Sequence, residues 1–540
     1  MAAEPASVAS DEQPRPAGPP IEADPVDGLP SLETEQTATE IRTTTSANDG
    51  GRGSAGRVVA ANSVWRLVAF SAKAISGLVA AFLLANEYGP TGMGTYQLGA
   101  TFTTIIAFAV ALGLPNFLVR EVARKPEDAR RWVEGGIFCT LTAGVLVTGL
   151  ILLGVNVLPE SSSALRQVLI LAGLALIFDA TSQILYALFW AWQRMRFEAL
   201  AILVQETVFV IATVVVVRVL DGGPSGVMAA YLGTRMVGAI VAWVVASKGL
   251  RGLIVPRFDR AFLRPTLRRA VPFAIDDALS ATYIRADTLI LGVMKGQGAV
   301  GLYTACTNLV LYMNVLPRML NSALFAPLSK AWPGEPERFA RLRDTSLRVL
   351  GALAMPITIG SLLLAPRILS LYGDGFEEAA WCYRMLALVI PVRMLGHTLG
   401  TALTSANGQT KRTVAVGVAA ATNVVLNAVI LIPLFSYNGA AVATVVTETG
   451  LFVAYAWLLS RVSGRPRIVE ALTLPGVACL PLTAFVLLTW NGPLWLTVAA
   501  GAAGYALGML GVAYAKAPGD GRRSRVRRSP RAVLASFVKA

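Results

Sequence analysis

Residues 194–251 read RMRFEALAILVQETVFVIATVVVVRVLDGGPSGVMAAYLGTRMVGAIVAWVVASKGLR. Two apolar runs, 198–220 and 224–248, share a short link without Lys or Arg. Both outer flanks are basic, with Arg194 and Arg196 on one side and Lys248 and Arg251 on the other. An apolar run of about 20 residues spans a bilayer as a helix, and Lys and Arg collect in cytoplasmic links. The stretch reads as two membrane spans that leave the cytoplasm and return to it.

The same rhythm extends outward. Spans are predicted near 58–85, 95–118, 132–158, 164–190, 198–220, 224–248, 269–294, 298–326, 343–369, 380–404, 411–435, 438–461, 468–489 and 493–515, fourteen in all. The even-numbered links carry the cations. Arg120, Arg124, Lys125, Arg130 and Arg131 follow the second span, Arg251, Arg257, Arg260 and Arg264 the sixth, and Lys330, Arg338, Arg341 and Arg343 the eighth. The odd links are sparse or acidic, as in Asp374, Glu377 and Glu378. Both termini are therefore expected in the cytoplasm, with the chain read as a multi-pass membrane protein.

Composition agrees. Of 540 residues, 54% are hydrophobic and 15% charged, and the mean hydropathy is +0.58. A soluble chain with that balance would expose large apolar patches. The net charge of +14 could suggest nucleic acid, but the cations sit in short links, where they orient the protein against anionic lipid. Cys139, Cys306, Cys382 and Cys479 lie in or beside apolar runs without metal-ligand spacing, and His397 is the only histidine. They read as small core residues, and no metal or cofactor is expected. Residues 1–50 lack the apolar segment of a signal peptide and read as a disordered cytoplasmic tail. The basic tail Arg522–Arg528 reads as an inner-leaflet contact. Every external link is short, which leaves no room for the external domain that a glycan polymerase or ligase needs. The chain is not expected to be an enzyme.

A weak internal repeat organises the spans. Thr91-Gly92-Met93-Gly94-Thr95-Tyr96 matches Gly298-Ala299-Val300-Gly301-Leu302-Tyr303 at an offset of 207 (301 − 94), and Ser247-Lys248 matches Ser460-Arg461 at 213 (461 − 248). The predicted organisation is a tail (1–57), a six-span unit (58–248), a linker (249–268), a second six-span unit (269–461), two accessory spans (462–515) and a basic tail (516–540). The fold class is an all-α polytopic bundle. Its two parallel repeats suit an alternating-access transporter.

Ionisable groups inside a bilayer are costly and face a cleft or a partner. Arg66, Lys73, Asp287, Arg318 and Arg393 are the predicted cavity residues. Arg66 and Lys73, seven apart, share a helix face. Glu206, Asp276, Asp277, Arg285 and His397 are candidates for cavity lining or ion coupling, and Asp179, Arg235 and Glu448 complete the set. A structural reading competes for each, as ion pairs between helices. Arginine in such a cavity would grip phosphate through its planar fork. Asn423 and Asn427 read as interhelical glue. The basic links Leu250 to Leu267 and Arg338 to Arg343 read as interfacial helices.

Asn62-Ser63-Val64-Trp65-Arg66, Lys73, Tyr88-Gly89-Pro90 with Gly94-Thr95-Tyr96, Leu112-Gly113-Leu114 and Arg120-Glu121-Val122-Ala123-Arg124 resemble the first two spans of Wzx-type oligosaccharide flippases. These belong to the multidrug/oligosaccharidyl-lipid/polysaccharide exporter superfamily. Arg285-Ala286-Asp287, Gly301-Leu302-Tyr303 and Asn407-Gly408-Gln409-Thr410-Lys411 are similar to later parts of that family. The resemblance covers roughly residues 58–515 and leaves out both tails. It implies a V-shaped two-lobe bundle that flips an undecaprenyl diphosphate-linked oligosaccharide from the inner to the outer leaflet of a bacterial plasma membrane. It also implies proton or sodium coupling, and glycosyltransferases and a polymerase as partners. A multidrug antiporter and a peptidoglycan lipid-precursor flippase of the same superfamily are the alternatives.

Overall fold

A computed structural model describes residues 52–157 and 162–515. The two predicted tails fall almost wholly outside this range. Every described element is helical. In chain order these are α1 (Arg52–Ala111), α2 (Leu114–Arg124), α3 (Ala129–Val157), α4 (Ser163–Ala191), α5 (Met195–Arg218), α6 (Gly223–Gly249), α7 (Arg260–Tyr312), α8 (Val315–Ala331) and α9 (Pro336–Leu369). There follow α10 (Ala380–Ala387), α11 (Val389–Ser405), α12 (Gln409–Val425), a π-helical turn (Leu426–Leu431), α13 (Ile432–Ser463), α14 (Ile468–Leu488) and α15 (Leu494–Ala515). Among the described residues, 11 helical stretches are long and apolar enough to cross a membrane. With so little water available, helices that satisfy their own backbone are what this composition can form.

Three of those stretches, 62–111, 281–331 and 409–463, contain a residue that is not helical. Gly89 has φ 62°, Gly296 φ 82° and Ser436 φ 52°. Gly89 and Gly296 tolerate the left-handed region because they lack Cβ, and they too are 207 apart (296 − 89).

Immediately after these kinks α1 and α7 meet. A Cβ on Gly94 would collide with the carbonyl of Gln297, and one on Gly301 with the carbonyl of Pro90. Gln297 is the counterpart of Pro90 (297 − 90 = 207), so the two contacts exchange under the repeat offset. Thr95 donates to the Gln297 side chain at 3.0 Å beside them. Small residues let helix backbones approach this closely. The seam lies at the helix ends away from the Arg-rich links.

The basic links differ from expectation. Residues 250–259 are a non-helical strap, and helix begins only at Arg260. The strap is held on α3. The buried Glu134 accepts from the Val255 N–H at 3.4 Å and pairs with Arg130 at 2.9 Å and Arg257 at 3.5 Å. Arg130 donates to the Leu253 carbonyl at 2.5 Å, and Arg131 pairs with Asp259 at 2.6 Å. Arg338 to Arg343 are not a separate interfacial helix either; they form the first turns of α9. Phe339 is fully buried there, and Arg343, 2% exposed, donates to the carbonyls of Ser463, Gly464 and Arg465. The alternation of apolar and basic residues reflected one face sunk in the core, not a helix lying on lipid.

Two apolar cores lie behind these ties. One joins α1 and α7 to α13 with Val168 of α4, Phe209 of α5 and Met228 of α6, and the other gathers α2 to α6 around Phe117, Phe189 and Ile202, with Ala69 of α1 and Ala270 of α7. α14 and α15 pack on α9. Arg367 clasps their connecting turn through the carbonyls of Trp490 (2.6 Å) and Gly492 (2.5 Å).

Candidate functional site

The charges inside the spans divide into those that find an opposite charge or hydrogen-bond partner and those that do not. Arg393 on α11 is a predicted cavity residue, yet its guanidinium binds Glu448 of α13 at 2.5 and 3.1 Å. Tyr283 of α7 donates to the same carboxylate oxygen at 3.3 Å. Asp287 is likewise engaged. It accepts from the Tyr303 hydroxyl, from the Thr288 N–H at 2.7 Å and from the Thr288 hydroxyl at 3.3 Å. These two residues serve as ties between or within helices.

The first half holds a similar cluster. Arg235 on α6 lies 3.5 Å from Asp179 of α4 and 3.7 Å from Glu206 of α5, with its guanidinium over the Tyr231 ring at 4.3 Å. Glu206, 5% exposed, also accepts from Ser76 of α1 and from Gln205 at 2.9 Å. Buried charges persist only when partnered in this way. Asp277 accepts from Asn116 of α2 at 3.3 Å. The side chain of Asp276 lies outside the described residues. His397 is half-buried on α11, one turn before Thr401, which donates to its carbonyl. Asn423 and Asn427 act as the predicted glue: Asn427 donates to Asn423 at 3.0 Å, and Asn423 to Thr447 at 3.1 Å.

Four of the predicted cations are different. Among the described residues, no acid lies within 4.0 Å of Arg66, Lys73, Arg285 or Arg318. Lys73 and Arg318 are exposed, and Arg285 is half-buried with a buried Nε that has no hydrogen-bond partner. Arg66 is exposed and lies over the Trp190 ring at 5.2 Å. They sit on α1, α7 and α8. Gly77 of α1 faces the Tyr312 hydroxyl at the end of α7, so α1 and α7 run close together between the seam and these cations. Two further residues, Trp190 and Glu198, were not predicted. Glu198 is 8% exposed and accepts the Trp190 Nε1–H at 2.5 Å. A glutamate in the first turn of an apolar span, eight positions after a tryptophan, was the available signal.

The fold and its internal charges define a multi-pass membrane protein of transporter architecture. The chain belongs to the polysaccharide biosynthesis protein family, whose profile matches residues 59–332. It is 29% identical over 200 residues to a probable flippase, AglR, of Haloferax volcanii, an alignment covering 35% of this chain. That alignment spans 42% of the relative's length. The fold is similar to the lipid II flippase MurJ in an inward closed conformation, with a TM-score of 0.67 at 13% identity, covering 82% of this chain and 97% of that one. It is also similar to an inward-facing multidrug resistance MATE family transporter of the MOP superfamily, with a TM-score of 0.59 at 13% identity, covering 72% and 94%.

Proposed function

We propose that this protein is a flippase that carries an undecaprenyl diphosphate-linked oligosaccharide from the cytoplasmic to the outer leaflet of a bacterial plasma membrane. The observation that carries the reading is the set of four cations without an acid partner, Arg66, Lys73, Arg285 and Arg318, where Arg235 and Arg393 are each paired with an acid. Excess positive charge inside a membrane suits an anionic ligand, and diphosphate matches the guanidinium fork. A multidrug antiporter that takes organic cations would want the opposite balance.

The three kinked stretches are 50, 51 and 55 residues long, more than twice the ~20 that one crossing needs. Read as two spans each, they bring the count to fourteen (11 + 3). Six spans per half then form two parallel lobes in a V, with spans thirteen and fourteen as accessories and both termini in the cytoplasm. The Gly94–Gly301 seam closes the outer end, and the cations open toward the cytoplasm. Alternating access follows when the seam parts and the opposite end closes. Glu206, Asp277 and His397 are the groups offered for proton or sodium coupling. Glycosyltransferases and a polymerase would act before and after the flip.

The test uses proteoliposomes loaded with a fluorescent undecaprenyl diphosphate oligosaccharide, with a peptidoglycan lipid precursor and an organic cation as rival cargoes. Wild type should move the oligosaccharide lipid, and Arg66→Ala, Lys73→Ala and Arg318→Ala should each slow it by at least about tenfold, the equivalent of one ~1.4 kcal/mol contact. Transport of the organic cation alone would overturn the reading. Preference for the peptidoglycan precursor would keep the diphosphate site and change the glycan.

A further inference from the structure

Arg66 is held differently from every paired arginine in the spans. Arg393 donates to a carboxylate, and Arg235 stands within ion-pair distance of two. Among the described residues, Arg66 makes no hydrogen bond or ion pair; it rests on the face of Trp190 at 5.2 Å. A tryptophan face attracts a guanidinium through the ring quadrupole. The five N–H donors of Arg66 make no hydrogen bond among the described residues. The arginine is oriented but not neutralised.

The indole is itself fixed. Trp190 lies at the end of α4, and its Nε1–H points to Glu198 at the start of α5, at 2.5 Å. Hydrogen bonds to a carboxylate are among the stronger ones. Burying a carboxylate without reason is expensive, and at 8% exposure Glu198 has no ion pair within 4.0 Å among the described residues. Arg66 and Lys73 both act on its charge from α1. The neighbouring turn adds a brace: Asn62, one turn before Arg66, donates to the Gln193 carbonyl at 3.0 Å. Three helices thus converge on one guanidinium.

We propose that Trp190 and Glu198 are positioning residues that hold Arg66 as a preoriented clamp for the diphosphate of the lipid substrate. The proposal rests on the flippase reading above. Glu198 sets the indole, the indole sets the guanidinium, and the fork faces the substrate at little entropic cost.

The test is a double-mutant cycle with the full chain in nanodiscs, reading the Kd for undecaprenyl diphosphate, with undecaprenol as the probe lacking phosphate. Trp190→Leu and Glu198→Leu should each weaken diphosphate binding about five- to thirtyfold, the range of a partly desolvated cation–π contact. Undecaprenol binding should not move. Trp190→Phe, which keeps a face, and Glu198→Gln, which keeps an acceptor for the indole, should stay within about threefold, and they guard against misfolding of the harsher variants. Trp190→Leu added to Arg66→Ala should cost nothing more than Arg66→Ala alone, because the chain of positioning ends at Arg66. Additive losses, or a Trp190→Leu protein that binds diphosphate like wild type, would overturn the positioning role while leaving the flippase reading intact. A wild-type protein that binds diphosphate no better than undecaprenol would overturn both.

Discussion

In the first half an acid on α4, Asp179, meets a base on α6, Arg235; in the second half a base on α11, Arg393, meets an acid on α13, Glu448. The offsets are 214 (393 − 179) and 213 (448 − 235), within one residue of the 213 that relates Lys248 to Arg461. Ser76 and Tyr283, 207 apart, each donate a hydroxyl to the acid of their half's cluster, Glu206 or Glu448. The straps behave alike. Glu134 near the start of α3 receives a backbone N–H from the link after α6, whereas Arg343 near the start of α9 donates to carbonyls of the link after α13. Reversing both signs of a pair leaves its Coulomb energy unchanged, so the repeat specifies where a tie stands and leaves its polarity open. The partnerless cations follow no such rule. At an offset of 207, Arg66 and Lys73 match Phe273 and Ser280, and Arg285 and Arg318 match Leu78 and Ala111. Ties recur in both halves. The cations without an acid partner do not.

The seam is the place where the halves match without inversion, and disturbing it should have the largest effect. Gly94→Leu and Gly301→Leu should each reduce flipping by more than about tenfold, equally, since each glycine meets the other half's backbone. A tolerated leucine on one side only would break the reciprocity. Next come the buried pairs. Removing one partner should cost about 3–5 kcal/mol in unfolding experiments in detergent, with Arg235→Ala at the upper end because it strands both Asp179 and Glu206. The comparison sharpens with swaps. Arg393→Glu with Glu448→Arg should recover stability to within about 1 kcal/mol of wild type. Asp179→Arg with Arg235→Glu should not, because Glu206 remains 3.7 Å from the swapped position. Recovery in both halves would mean that Glu206 carries no charge. The straps should give the smallest change: Arg343→Ala and Glu134→Ala should each cost about 1–3 kcal/mol as lost charged hydrogen bonds, read as faster proteolysis within 250–259 or 463–467.

Much of this was legible beforehand. The alternation of apolar runs and basic links marks the helices, and the Gly94–Gly301 match pointed to the residues that form the seam. Helical spacing places Arg66 and Lys73 on one face correctly, because that is a property of a single helix. It says nothing of what stands opposite. Glu448 is 55 residues from Arg393, and Glu206 is 130 from Ser76, so helical spacing could not join either pair. Trp190 and Glu198 were missed for the same reason, since a tryptophan at a span end ordinarily marks the membrane interface. The interleaved links misled because a strap pinned by carboxylates has the same alternation as a surface helix.

At the seam, Gly94 and Gly301 each meet a main-chain carbonyl, and the neighbouring hydrogen bond joins Thr95 to Gln297. No ionisable side chain takes part in these contacts. Such a latch has no charge for the transmembrane voltage to pull on and none for salt to screen. In the proposed cycle a voltage or an ion gradient would act on it from a distance, through α1 and α7, which run from the seam to the level of the charged residues. Sensor and latch are separate parts, and a defect in either could be repaired without touching the other.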